Sequence, residues 1–142
     1  RRQIEIAIKY HKPLIIHARD ANQYTFDTLK EYQGKVIGVM HCYAGSLELA
    51  KEYIKMGYYL GFGGPVTFTN AKDPKKVVEN IDIEYLLTET DSPYLAPHPL
   101  RGTQNRPKNI PIIASKMAEL KGMDIEAFKE QIIKNAKKLF NI

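Results

Sequence analysis

Apolar and polar positions along this chain follow two different periods, and the switch between them recurs. Residues 3–11 carry Ile4, Ile8 and His11 at helical spacing, and Lys12-Pro13 closes that segment before the apolar run Leu14-Ile15-Ile16-His17. Residues 22–33 set Phe26, Leu29 and Tyr32 along one side of a helix that Gly34 ends, and residues 36–41 then predict a second strand. Ser46 is placed to cap a helix over 47–56, Gly57 stops it, and YYLGF at 58–62 reads as the third strand. Asp73 as an N-cap with Pro74 at the first helical position opens a helix over 74–80, followed by a fourth strand over 84–89. The last third is helical, over 111–122 and, capped by Asp124, over 125–140.

Strands beginning near residues 14, 36, 58 and 84, each after a helix, describe repeated βα units and a parallel sheet. Such alternation suits an open doubly wound sheet or a (β/α)8 barrel, and a barrel takes about 250 residues and eight units. This chain has 142 residues. Its 44% hydrophobic content is enough for a single core, so one domain over 1–142 is expected. The net charge of +5 tolerates a polyanionic partner without demanding one. Cys42 is the single cysteine, which excludes an intrachain disulfide and favours a reducing, cytoplasmic setting. No apolar run approaches the ~20 residues of a membrane helix, so no membrane partner is expected. The chain opens RRQIEIAIKY, already inside an amphipathic helix, with neither methionine nor signal peptide, and we expect that sequence upstream is missing.

Chemistry concentrates at the ends of the strands. The stretch LLTETDSPYLAP, 86–97, leaves an apolar strand to present Glu89 and Asp91, and a carboxylate drawn from a buried run calls for a partner. His17, His41 and Asp91 each stand at the carboxyl end of a strand, the first two one βα unit apart and the last two separated by two units. In parallel α/β folds the loops at that end converge and bind ligands. Two imidazoles and a carboxylate meeting there suit a divalent metal, and Glu89, two residues before Asp91, would orient a ligand from behind. Singly, a strand-terminal histidine is a hydrogen-bonded loop residue and an acid before a turn is a cap; the joint occurrence at three strand ends favours metal. Cys42 points to the opposite face from His41, which argues against a Cys–His catalytic pair. GFGG at 61–64 lacks the lysine and hydroxyl of a P-loop, and its glycines are expected to permit close backbone approach.

Four segments, PLIIHARDA (13–21), GVMHCYAGS (38–46), YLGFGG (59–64) and LLTETDSPYLAPHPLRGTQNRP (86–107), closely resemble the TatD family of metal-dependent deoxyribonucleases in the amidohydrolase superfamily. The resemblance implies a TIM-like barrel with one or two divalent ions (Mg, Mn or Zn). It matches His17 and His41 to metal ligands, and Asp91 to the aspartate that binds metal and handles the proton of the attacking water. It also favours Arg101 as the contact to substrate phosphate, and Tyr94 offers a ring for base stacking. The family's first-strand His-x-His and its bridging Glu in a GEIGLD-like segment do not occur here. The chain therefore resembles the carboxyl-terminal half of such a barrel, about four βα units plus terminal helices, inactive alone. The expected partner is DNA or another phosphodiester, with the open sheet edges closed by a homodimer or by the missing half. Two other readings remain: a hydrolase of the same superfamily acting on another bond, such as an aminoacyl-tRNA ester, and a non-catalytic α/β binding module.

Overall fold

A computed structural model describes residues 1–142. Helix α1 (Arg2–Lys9) leads into β1 (Leu14–His17), α2 (Asn22–Lys30) into β2 (Gly38–His41), α3 (Leu47–Lys55) into β3 (Tyr59–Phe62), and α4 (Asp73–Asn80) into β4 (Leu86–Thr88). Helices α5 (Ile110–Lys121) and α6 (Ile125–Phe140) follow. The strands form one parallel sheet in the order β1-β2-β3-β4, with His17 paired to His41 in register.

Residues alternate across the strands, and the two faces have different fates. Met40, Leu60, Phe62 and Leu86 join the main core with Tyr53, Val77, Ile113, Met117 and Phe128 from the helices. Each such fully buried side chain contributes roughly 1.5–3 kcal/mol relative to exposure. On the other face Val39, Tyr59 and Leu87 form a smaller cluster with Leu139 near the end of α6, against which Ala136 and Phe140 also pack. Helix α6 is tied to the start of β4 by Asn135, whose buried amide donates to the carbonyls of Ile83 and Leu86 at 2.7 and 2.8 Å. Strands β1 and β4 are the sheet's two edges, and Ile15 on β1 is 67% exposed. No helix is long and apolar enough to cross a membrane.

The caps explain where the helices start and stop. Ser46 accepts from the Leu49 amide, and Asp124 accepts from the amides of Glu126 and Ala127, each worth about 0.5–2 kcal/mol. Gly122 ends α5 in the left-handed region at φ 62°. Asp73 does not act as the expected cap: it is the first residue of α4, and Lys72 precedes it without a side-chain cap. The fourth strand is also shorter than its apolar pattern suggests, because Ile83–Tyr85 forms a 3-10 turn.

Candidate metal centre

The alternation that sends Val39, Tyr59 and Leu87 to one face carries His17, His41, Gly61 and Glu89 to the same face, one step nearer the carboxyl ends. Glu89 belongs to the chain just past β4, and its amide donates to the Phe62 carbonyl at 3.0 Å, so the strand geometry persists to this point. Its carboxylate reaches across β3 to β2, where Oε2 lies 2.9 Å from His41 Nδ1 and Oε1 accepts from the Cys42 amide. The opposite ring nitrogen, His41 Nε2, lies 3.1 Å from Asp91 Oδ1. His17 stands alongside, its ring centroid 5.9 Å from that of His41.

Glu89 can cross β3 only because residue 61 has no side chain. A Cβ there would fall well inside contact distance of Glu89 Oε2 and 2.9 Å from its Cδ. Gly64 gives similar clearance to the Leu95 carbonyl, so two glycines of GFGG serve close approach, as expected. Gly61→Ala is expected to push Glu89 off His41 and to cost about 1–3 kcal/mol through crowding. Denaturant unfolding measures the cost, and the His41 titration described below reports the displacement.

A cavity of about 260 Å³ opens over these groups, lined by His17, Arg19, Asp20, His41, Cys42 and Asp91, among others. Asp20, Cys42, Asp91 and Leu95 all line it and all adopt positive φ, between 48° and 59°. Left-handed backbone costs a non-glycine residue of order 1–3 kcal/mol, and such strain gathers where a site over-determines it. The loop that carries Asp91 is tied on both sides of it by Asn105, a buried residue. The Asn105 amide donates to the Thr90 carbonyl at 2.6 Å and the Leu95 carbonyl at 3.4 Å, while its oxygen accepts from the Arg106 amide and from Asn109 Nδ2, both at 2.9 Å.

The predicted site residues thus fall into two groups. His17, His41 and Asp91 share the cavity, with Glu89 behind His41. Arg101 does not line it: its guanidinium lies over the Phe68 ring, 4.1 Å from the centroid. Arg19 and Asp20 do line it and were not singled out, although both lie inside the HARDA run; Asn105 was passed over within QNRP. Nothing in their local pattern distinguishes a cavity residue from a loop residue, because the placement comes from left-handed turns that periodicity does not register.

His41 Nε2 and Asp91 Oδ1, 3.1 Å apart, have the separation of two donors sharing an ion at bond lengths of ~2.0–2.2 Å. Glu89 on Nδ1 is the hydrogen-bonded carboxylate that ordinarily orients a ligating imidazole. No three His, Cys, Asp or Glu side chains meet as a ready-made ligand cluster; the His17 ring centroid stands 5.9 Å from that of His41. The residues therefore fit a cation through His41 and Asp91, with His17 as the neighbouring donor.

The electrostatics follow from burial and proximity. Burial pulls the His41 imidazole down, but the Glu89 hydrogen bond and the charges of Glu89 and Asp91 overcome it, leaving His41 above its ordinary 6.5. Burial dominates at Glu89, which is raised from 4.5 although His41 pulls it back. A raised folded-state pKa gives stability that is complete below the unfolded value and is lost as pH rises through the folded one. The His41 contribution is thus full below its unfolded value of 6.5 and fades above it. In the metal-free protein Glu89→Gln is expected to lower the His41 pKa and to flatten the fall in stability above that pH, as NMR titration and urea unfolding will report.

Cys42 does not turn to the face opposite His41 as strand alternation predicts: its backbone is left-handed at φ 48° and it lines the same cavity, yet it behaves oppositely to a nucleophile. Burial, reinforced by the charges of Glu89 and Asp91, pushes its thiol from 9.0 up to about 12. At neutral pH it should hold roughly a thousandfold less thiolate than an ordinary cysteine and resist alkylation accordingly. Iodoacetamide labelling followed by mass spectrometry checks this; rapid labelling of folded protein would contradict it.

Comparison with known proteins places the chain in a class. The family model described as "TatD related DNase" matches residues 1–141, and the chain belongs to that family. Among its relatives, an uncharacterized metal-dependent hydrolase of Bacillus subtilis, YabD, is 48% identical over all of this chain and 56% of its own length. An uncharacterized metal-dependent hydrolase of Methanocaldococcus jannaschii is 42% identical over 96% of this chain and 52% of its own length. The crystal structure of YJJV, a TatD homolog from Escherichia coli, superposes with a TM-score of 0.92 at 28% identity, covering 99% of this chain and 54% of that one. The fold is accordingly α/β and similar to that of TatD barrels, seen here as a four-stranded parallel sheet with its helices. The chain spans about half the length of the relatives it matches.

Proposed function

We propose that the protein to which this chain belongs is a metal-dependent hydrolase that cleaves phosphodiester bonds of DNA, with this chain supplying part of the metal centre. The observation that carries the reading is His41 held between Glu89 and Asp91 beside His17, at the carboxyl ends of a parallel sheet. When bound, a divalent cation supplies Lewis acidity toward the phosphoryl oxygens and a stronger nucleophile at neutral pH. His17 and His41 would hold the cation through neutral imidazole nitrogens. Asp91 would share in holding it and would accept the proton of the attacking water at a carboxylate oxygen. Glu89 keeps the Nδ1–H of His41 occupied, so that Nε2 presents its lone pair to the cavity.

Arg101 meets a substrate phosphate from outside the cavity. A guanidinium lying flat on Phe68 keeps its edge N–H groups free for bidentate contact, and Tyr94, 73% exposed, offers a ring for a neighbouring base. Residues 1–142 make up part of one barrel domain. The chain's span of about half its relatives' length, together with two unpaired sheet edges, supports closure by the rest of the barrel or by a second copy. A cytoplasmic location rests on the single cysteine.

The family description names DNase, while the relatives are called only metal-dependent hydrolases. A product assay on the full-length protein with Mg, Mn and Zn in turn separates the substrates. Release of nucleotides or nicked DNA supports the proposal; hydrolysis of an aminoacyl ester with DNA left intact replaces it.

A further inference from the structure

A second cavity, of about 440 Å³, lies at the other end of the sheet. It is walled by the chain that enters β1 (His11, Lys12), the chain that enters β2 (Gly34, Lys35) and the end of α6 (Lys138, Phe140). A four-residue strand spans ~13 Å, so this cavity and the candidate metal centre are separate places.

Three exposed lysines from three separate segments line it, and no acidic residue does. None of Lys12, Lys35 and Lys138 makes an ion pair or donates a side-chain hydrogen bond, whereas Lys55, Lys116 and Lys129 each pair with a glutamate. Helices α1 and α6 end at the cavity, and each carbonyl end supplies roughly half a negative charge. That offsets only about one of three ammonium charges, so an excess of positive charge remains over the opening. Ile8, Val36, Leu139 and Phe140 also line the cavity and give it an apolar part. Cationic groups in one cavity with an apolar part recognise a ligand with an anionic head and a flat or apolar body, and the volume falls within the usual range for small-molecule sites.

We propose that this cavity binds an organic phosphate of about nucleotide size, with the phosphate met by Lys12, Lys35 and Lys138 and the body resting against Phe140. The site is independent of the metal centre, so its test needs neither metal nor turnover. Protein stripped of metal with EDTA is titrated with ADP, and in parallel with inorganic phosphate, while backbone amide and His11 ring signals are followed by NMR. The expected result is a set of shifts confined to His11, Gly34, Lys35 and Asn141, saturating near or below the millimolar range, with ADP binding more tightly than phosphate. In K35A/K138A the ADP affinity should fall roughly tenfold or more, while K51A/K55A, which removes lysines outside the cavity, leaves it unchanged. No shift at these residues, equal affinity for ADP and phosphate, or an undiminished affinity in K35A/K138A overturns the proposal. Circular dichroism of each variant confirms that the fold is retained.

Discussion

Asp91→Asn in the full-length protein is expected to lower turnover by a factor on the order of 10²–10⁴, the usual size of a lost proton acceptor, and to weaken metal binding at the same time. The substitution keeps the shape of the side chain and its left-handed backbone, which asparagine tolerates as well as aspartate does. What it removes is charge: the amide oxygen is a poor acceptor for the proton of water and a weaker cation donor. His41 also loses a negative neighbour at Nε2, so its pKa should fall in the metal-free protein. Steady-state rates with metal titration at several concentrations separate the two losses. Wild-type turnover at saturating metal would remove Asp91 from the chemistry.

Asn105→Ala is the variant with the largest expected effect on stability. It deletes both donors and the acceptor of a buried amide that ties Thr90, Leu95, Arg106 and Asn109 together, and it strands the Asn109 side chain in the interior. Each buried polar group left unpaired costs about 1–3 kcal/mol, so a loss of about 2–4 kcal/mol is expected by urea unfolding. The loop that carries Asp91 and Leu95, both at positive φ, would also lose that tie, and activity should fall further than the folded fraction alone explains. A loss below about 0.5 kcal/mol would show that the loop is held by something else.

These two residues mark how far the sequence could be read. His17, His41 and Asp91 were legible because strand periodicity fixes where a strand ends, and the ends of parallel strands are where ligand groups gather. Glu89 was legible for the same reason, two residues before Asp91. What could not be read was the reach of its side chain: that Glu89 crosses β3 to His41 depends on Gly61, and the run YLGF shows a glycine without showing what passes over it. Asn105 escaped notice because its work is done by contacts to Thr90 and Leu95 that no local pattern encodes.

The fold followed the same division. The four βα units and the capped α6 appear where the apolar spacing places them, but the 3-10 turn at Ile83–Tyr85 shortens the fourth strand, since an apolar run alone does not separate a strand from a tight turn. Arg101 shows the remaining gap. The family resemblance makes it a contact to substrate phosphate, and the loop folds it onto Phe68 outside the cavity, so that a role on phosphate requires the substrate to extend beyond the cavity.

The central claim is that His41 and Asp91, with His17 beside them, hold one cation at the carboxyl ends of the sheet. Anomalous scattering from crystals grown with zinc tests it most directly. The account predicts a peak within ~2.0–2.2 Å of both His41 Nε2 and an Asp91 carboxylate oxygen, with Glu89 still on Nδ1. A fully occupied zinc bound elsewhere, with His41 and Asp91 still hydrogen-bonded only to each other, would contradict it.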